Sequence, residues 1–226
     1  MSASRFAAIL FDAGGVLVLP DPTVLSPLLV YHGGDPSLSA HVRAHYRGMA
    51  AKSAAGSHEG FWHDYNLAYV RSIGVPEDEV EDAAHLLDRT RGAAIWRWPI
   101  PESMSGLRSL EAAGVPMGVV SNASGQIEAV LARSGVCQVG AGRGIAMRVI
   151  IDSHVVGVAK PDPKIFSFAF EHFDGIEPSQ IAYVGDSVTM DIGGARAAGM
   201  HPILIDPYGD HPDADFETIR TLHDLV

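Results

Sequence analysis

Two kinds of hydrophobic spacing divide the chain. Near its start, Ala8-Ile9-Leu10-Phe11 is a continuous apolar run that ends at once in Asp12, with Gly14 and Gly15 close behind. A run of that length, stopped by a turn signal, predicts a strand buried on both faces. From Pro99 onward, short apolar runs alternate with amphipathic stretches. The runs predict strands at 115–120, 149–152, 181–184 and 202–205, and the stretches predict helices at 102–113, 125–134, 163–172, 191–198 and 216–225. Gly114, Gly135 and Gly199 stop three of those helices. Strands alternating with helices imply right-handed crossovers and a mostly parallel sheet covered on both sides.

From about Val24 to Trp98 the pattern changes. β-branched runs are missing, and apolar residues recur at helical spacing, which predicts helices over 39–49, 59–73 and 77–91. Gly74 closes the second of these, and Pro76 opens the third with acidic residues in its first turns. Pro20, Asp21 and Pro22 read as a loop before the block. The expected fold is α/β: a Rossmann-like parallel-sheet core made of residues 1–17 and 99–226, with an α-helical insert at 18–98.

Bulk properties narrow the partners. A chain of 226 residues can hold one large domain or a core with an insert, and 47% apolar residues are ordinary for a globular protein. The net charge of -11, with no run of lysine or arginine, argues against nucleic acid or an anionic membrane as a general partner. No apolar stretch approaches the roughly 20 residues of a membrane span. The lone Cys137 rules out an internal disulfide, fits a reducing compartment and is expected to be buried and inert. A cytoplasmic location follows as the expectation. Gly140-Ala141-Gly142-Arg143-Gly144 looks like a nucleotide fingerprint but follows no convincing strand, so a plain turn is expected there.

A parallel sheet delivers its strand ends to one edge, where open α/β sheets bind ligands. Asp12 ends the first strand, Ser121-Asn122 the second and Gly185-Asp186 the fourth, while Lys160 follows the third and Asp191 opens a helix. Each has a plain structural use: Ser121-Asn122 as a helix cap, Lys160-Pro161 as a solvated turn, Asp191 as a favourable first-turn charge. Converged, they form a chemical set. A carboxylate can attack an electrophile, lysine can neutralise charge, and serine and asparagine can hydrogen-bond a phosphoryl oxygen. Asp12, Asp186 and Asp191 can hold a hard divalent cation such as Mg²⁺, and the glycines allow close approach of backbone to an anion.

With Phe11-Asp12-Ala13-Gly14-Gly15-Val16-Leu17, Val119-Val120-Ser121-Asn122, Lys160-Pro161, and Val184-Gly185-Asp186-Ser187 with Asp191 in that order, the chain resembles the haloacid dehalogenase-like hydrolases over nearly its full length. The helical insert falls where that family carries its first-type cap. The resemblance implies that Asp12 is a nucleophile forming an aspartyl intermediate. It implies that Ser121, Asn122 and Gly15 help bind the phosphoryl group, and that Lys160 pairs with that group and with Asp12. It places Mg²⁺ on Asp12, the Gly14 carbonyl and Asp186, with Asp191 in support. The implied partner is a small phosphorylated molecule, met by a monomer or homodimer.

One position departs from the family pattern. Phosphatases of the family carry a second aspartate two residues after the nucleophile, as acid and then base, and here that position is Gly14. Loss of such a group typically costs about 10²–10⁴-fold. Three accounts follow: a phosphatase that borrows an acid from the insert (His32, Glu59, His63 or Asp64) or takes good leaving groups; a phosphonate hydrolase using Lys52, or a 2-haloacid dehalogenase-like enzyme; or a non-catalytic binder of a phosphorylated ligand or a protein. Dehalogenases lack an acid at the place of Asp186, which favours phosphoryl chemistry. On this reading Gly14→Asp by itself raises activity on alkyl phosphates.

Overall fold

The structure is a computed structural model that describes residues 5–56 and 60–226. Its first strand, β1 (Ala8–Phe11), is buried at every position. Ile9 and Phe11 enter one apolar core and Ala8 and Leu10 another, which is why the run is continuous and not alternating. The next strand, β2 (Val18–Pro20), pairs antiparallel with the distant β3 (Trp96–Pro99). Between these two strands lie α1 (Pro22–Val30), α2 (Leu38–Ala54), α3 (His63–Ser72) and α4 (Val80–Thr90). They pack around an apolar cluster of their own that includes Leu25, Leu29, Tyr65, Tyr69 and Leu87.

Helix α1 falls partly on the stretch read as a loop. Asp21 caps it by accepting the amide of Thr23, and Pro22 takes the first helical position. Aspartate followed by proline is a helix start as well as a turn signal. Helix α2 continues five residues beyond 49, carrying Lys52 with it.

The rest of the chain runs α5 (Pro101–Ala112), β4 (Met117–Ser121), α6 (Ile127–Arg133), β5 (Cys137–Val139), β6 (Ile145–Met147), β7 (Ile150–Asp152), α7 (Ser153–Val156), α8 (Lys164–Phe170), β8 (Ile181–Gly185), α9 (Gly193–Ala197), β9 (His201–Ile205) and β10 (Glu217–Ile219). Six strands form one sheet in the order β10-β9-β8-β1-β4-β7, parallel throughout. The order reverses beside β1, so the ends of β1, β4 and β8 lie together at the sheet's carboxyl edge.

The expected terminal helix at 216–225 is not formed. Glu217, Thr218 and Ile219 extend and pair with Ile203, Leu204 and Ile205, and a short 3-10 turn over Leu222–Leu225 follows. The β-branched Thr218-Ile219 pair fits an edge strand better than a helix. Residues 140–144 form the turn between β5 and β6, as a plain turn should. Cys137 is fully buried there, and burial pushes its thiol up to about 12, so it is inert. Among the described residues no helix is long and apolar enough to cross a membrane.

Candidate active site

Each functional side chain is set by a strand end and a tight local turn. Asp12 follows β1 directly; its amide donates to the Val184 carbonyl and its Oδ1 accepts the amide of Ala13 at 2.7 Å. Asp186 follows β8 through Gly185. A Cβ on Gly185 would lie 2.2 Å from Asp191, so glycine there lets Asp191 fold back against the strand end. Asp191 is fully buried, and its Oδ2 accepts the amides of Asp186 at 3.0 Å and Ser187 at 2.9 Å.

Lys160 joins these ends. Its Nζ lies 3.0 Å from Asp12 Oδ1 and donates to Asp191 Oδ1 at 2.7 Å and to the Tyr183 hydroxyl at 2.8 Å. That commits all three ammonium protons. Burial works to lower the Lys160 pKa, but the charges of Asp12 and Asp191 and their hydrogen bonds hold it above its usual value, so it stays charged. Burial pushes the Asp12 carboxyl up to about 7; Lys160 opposes that rise, and the charges of Asp191 and Asp186 add to it.

A divalent cation fits this donor set. Oxygens of Asp12, Asp186 and Asp191 lie within 4.8 Å of one another, and three clustered carboxylates face one ammonium. Hard oxygen donors with uncompensated negative charge suit Mg²⁺. Both oxygens of Asp191 are bonded to the chain, so it would stand behind Asp12 and Asp186 in holding the ion.

Asp12, Gly14, Ser121, Asn122, Lys160, Asp186 and Asp191 all line one cavity of about 220 Å³. Two expected contacts turn out differently. The amide of Gly15 donates to the Val18 carbonyl at 2.9 Å, so it is unavailable to a substrate. Gly15 serves instead as a seat: its φ is +68°, and a Cβ there would meet Asp186 Oδ2 at 1.8 Å. The Asn122 side chain accepts the amide of Lys160 at 2.8 Å and donates to its carbonyl at 3.0 Å, clamping the lysine backbone. The Asn122 side chain thereby positions Lys160, while Ser121 also lines the cavity.

Of the acids proposed from the helical insert, the three among the described residues do not reach the site. His32 bonds Glu79 and, like the exposed His63 and Asp64, does not line the cavity; Glu59 lies outside the described residues. Lys52 does line it, buried with its Nζ 3.4 Å from the centroid of Trp62. So do Met49, Trp62, Arg91 and Trp96, none of which the sequence pointed to. Met49 lies in α2, Trp62 and Arg91 flank α3 and α4, and Trp96 opens β3, and no local spacing marks such positions as walls of one cavity.

Gly14 faces one of these residues. A Cβ built on it would come 3.0 and 3.2 Å from the six-membered ring of Trp96. A side chain at position 14 would press on the indole, which would have to give by a few tenths of an ångström. Close by, His45 of α2 is buried with Nε2 3.0 Å from Asp186 Oδ2 and Nδ1 2.9 Å from the Tyr65 hydroxyl. Burial and then the Arg91 charge push its pKa down to about 3, so the neutral ring donates Nε2–H to Asp186 and accepts from Tyr65. The Tyr46 hydroxyl donates to the Gly15 carbonyl at 2.8 Å, a second tie between α2 and the carboxyl edge of the sheet.

Comparison with known proteins agrees with this geometry. A model of the haloacid dehalogenase-like hydrolases matches residues 6–199. The chain is 31% identical over 147 residues to haloacid dehalogenase-like hydrolase domain-containing protein 3 of Mus musculus, covering 64% of this chain and 55% of that one. It is 31% identical over 111 residues to a phosphoserine phosphatase of Thermus thermophilus, covering 49% and 42%. The chain thus spans about half the length of these curated relatives. A crystal structure of a dehalogenase with an intermediate complex superposes with a TM-score of 0.60 at 18% identity, covering 99% and 97%, a likeness of fold.

Proposed function

The chain belongs to the haloacid dehalogenase-like hydrolases, and on that footing we propose that it is a Mg²⁺-dependent phosphatase of small phosphorylated molecules, working through a covalent aspartyl phosphate at Asp12. The observation that carries the reading is the buried Lys160 ammonium held between Asp12 and Asp191, with Asp186 beside them. Asp12 attacks phosphorus, the bond to the leaving oxygen breaks, and that oxygen departs with the electron pair. Lys160 holds Asp12 in place and offsets negative charge as the phosphoryl group arrives. Ser121 offers its hydroxyl to a phosphoryl oxygen. Water then attacks the same phosphorus and gives up a proton to solvent, the bond from phosphorus to the Asp12 oxygen breaks, and phosphate leaves with the Asp12 carboxylate restored. When bound, Mg²⁺ supplies charge neutralisation on the transferring group.

Gly14 and Trp96 shape the substrate range. With glycine in place of the second acid, the leaving oxygen departs without a proton from that position. Acyl and aryl phosphates, whose leaving groups are already stable as anions, suit such a site better than alkyl phosphates. Residues 18–98 serve as the cap, excluding water from the cavity while Asp12 reacts. The retained Asp186 favours phosphoryl over halide chemistry, in a protein we place in the cytoplasm.

The test is phosphate release from p-nitrophenyl phosphate and acetyl phosphate, with Mg²⁺ and after chelation. Release that needs Mg²⁺ is the expected result. Silence on both, with turnover of phosphonoacetaldehyde or a 2-haloacid, overturns it in favour of carbon–phosphorus or carbon–halogen cleavage.

A further inference from the structure

The cavity has two chemically opposite walls. On the sheet side three carboxylates face one ammonium. On the helical side stand two cations, Lys52 and Arg91, both over the Trp62 ring, with Nζ 3.4 Å and Cζ 4.3 Å from its centroid.

Arg91 is built to stay where it is. Its side chain is 5% exposed, its NH1 donates to Asn66, its NH2 donates to Asp88 Oδ1 at 3.0 Å, and the guanidinium also lies over Tyr65 at 5.3 Å. Two of its five N–H groups are thus engaged, and the fork still has donors to give on a wall of the cavity. Burial lowers its pKa, the signature of a charge taken from water without full compensation. A guanidinium held by stacking and two anchoring bonds is preorganised for a planar anion, and little entropy is lost on binding.

We propose that Arg91, with Lys52 beside it, recognises a second anionic group on the leaving-group side of the substrate, so that the favoured class is small phosphorylated acids and not neutral phosphate esters. The proposal rests on the phosphatase reading of the opposite wall. Orientation follows from the chemistry of the two walls: the scissile phosphoryl group has to reach Asp12 beside Lys160 and the carboxylates that would hold Mg²⁺, which leaves the second anion to the cations. The cavity of about 220 Å³ is below the usual range for drug-sized ligands, so the leaving group carrying that anion is small.

The test compares kcat/KM with Mg²⁺ for 3-carboxyphenyl phosphate, its carboxamide counterpart and benzene-1,3-diyl bisphosphate. The carboxamide is the better leaving phenol, so leaving-group chemistry alone favours it. The proposal predicts the carboxylate ahead of the carboxamide by about 10- to 100-fold, the usual worth of a hydrogen bond to a charged group. A bisphosphate ahead of both supports the same site with phosphate as its anion. In Arg91→Met the preference over the carboxamide falls towards one, and Arg91→Lys recovers part of it; thermal unfolding of each variant reports whether it is folded. The wild-type ratio decides even where Arg91→Met does not fold. Equal turnover of all three overturns the anion site while the phosphatase reading stands, as does a preference that survives in folded Arg91→Met. Release of phosphate from none of the three overturns the phosphatase reading, and the anion site falls with it.

Discussion

The two walls of the cavity are made from opposite materials. The sheet edge supplies short acidic side chains and one lysine, each fixed by strand ends and by bonds to backbone: Asp191 to two amides, Asp12 to one, Lys160 by Asn122 on both its amide and its carbonyl. The helical block supplies long and aromatic side chains, Lys52, Trp62, Arg91 and Trp96, in ring and cation–ring contact with one another, with Arg91 also bonded to Asn66 and Asp88. Rigid strand ends suit the reacting atoms, whose positions must be held to fractions of an ångström. A wall of stacked rings and cations suits recognition, because its side chains can change without disturbing the sheet. The difference teaches where chemistry and choice of substrate reside.

The hardest blow to the sheet wall is Asp12→Asn. Removal of a nucleophile is expected to cut turnover by at least about 10⁴-fold. Because burial and the neighbouring carboxylates disfavour a charged Asp12, the neutral amide should leave the unfolding temperature unchanged or raised. Phosphate release and thermal unfolding check the two halves; retained activity would remove Asp12 from the mechanism.

A second change sharpens the boundary between the walls. Gly14→Asp alone should leave activity on alkyl phosphates flat, against the expectation from the family pattern, because its Cβ presses on the Trp96 ring. With Trp96→Ala in the same chain, space opens, and the double variant should cleave an alkyl phosphate about 10²-fold faster than Trp96→Ala alone. Equal rates would mean that the missing acid is not what limits this site.

The smallest effect concerns the tie that holds the walls together. Arg43 and Arg47 of α2 both bond Asp210, which follows β9. The hydrogen bond from Arg43 holds the Asp210 carboxyl below its usual range, against the opposing effect of burial. A lowered carboxylate pKa stabilises the fold above the ordinary value near 4 and loses that contribution as pH falls through the lowered one. Denaturation midpoints measured from pH 7 downward should therefore fall more steeply for the wild type than for Asp210→Asn. Parallel curves would remove this tie from the account.

The same contrast explains what could be read from the chain. Strand ends announce themselves: an apolar run stopped by Asp12, and Val184-Gly185-Asp186 with Asp191 five residues on, put polar groups where a parallel sheet must gather them. Lys160 was legible through its place after β7. The roles of Gly15 and Asn122 were not, because which partner an amide finds is a matter of turn geometry, and here Val18 and Lys160 claim them. His45, Arg91 and Trp96 gave no local signal. Helical spacing marks His45 as part of α2, but its contact with Asp186 joins residues 141 positions apart. The extended 217–219 segment was illegible for a related reason, since what holds it extended is its pairing with Ile203–Ile205 of β9 and nothing within the segment itself.

The most direct test of the account is to trap the enzyme during turnover of acetyl phosphate with Mg²⁺ and reduce it with borohydride, which converts an aspartyl phosphate to homoserine. Peptide mass spectrometry should find that change at residue 12, and not in Asp12→Asn. Turnover with the change at another carboxylate, or with none at any, would contradict a covalent intermediate on Asp12 and with it the division of labour between the two walls.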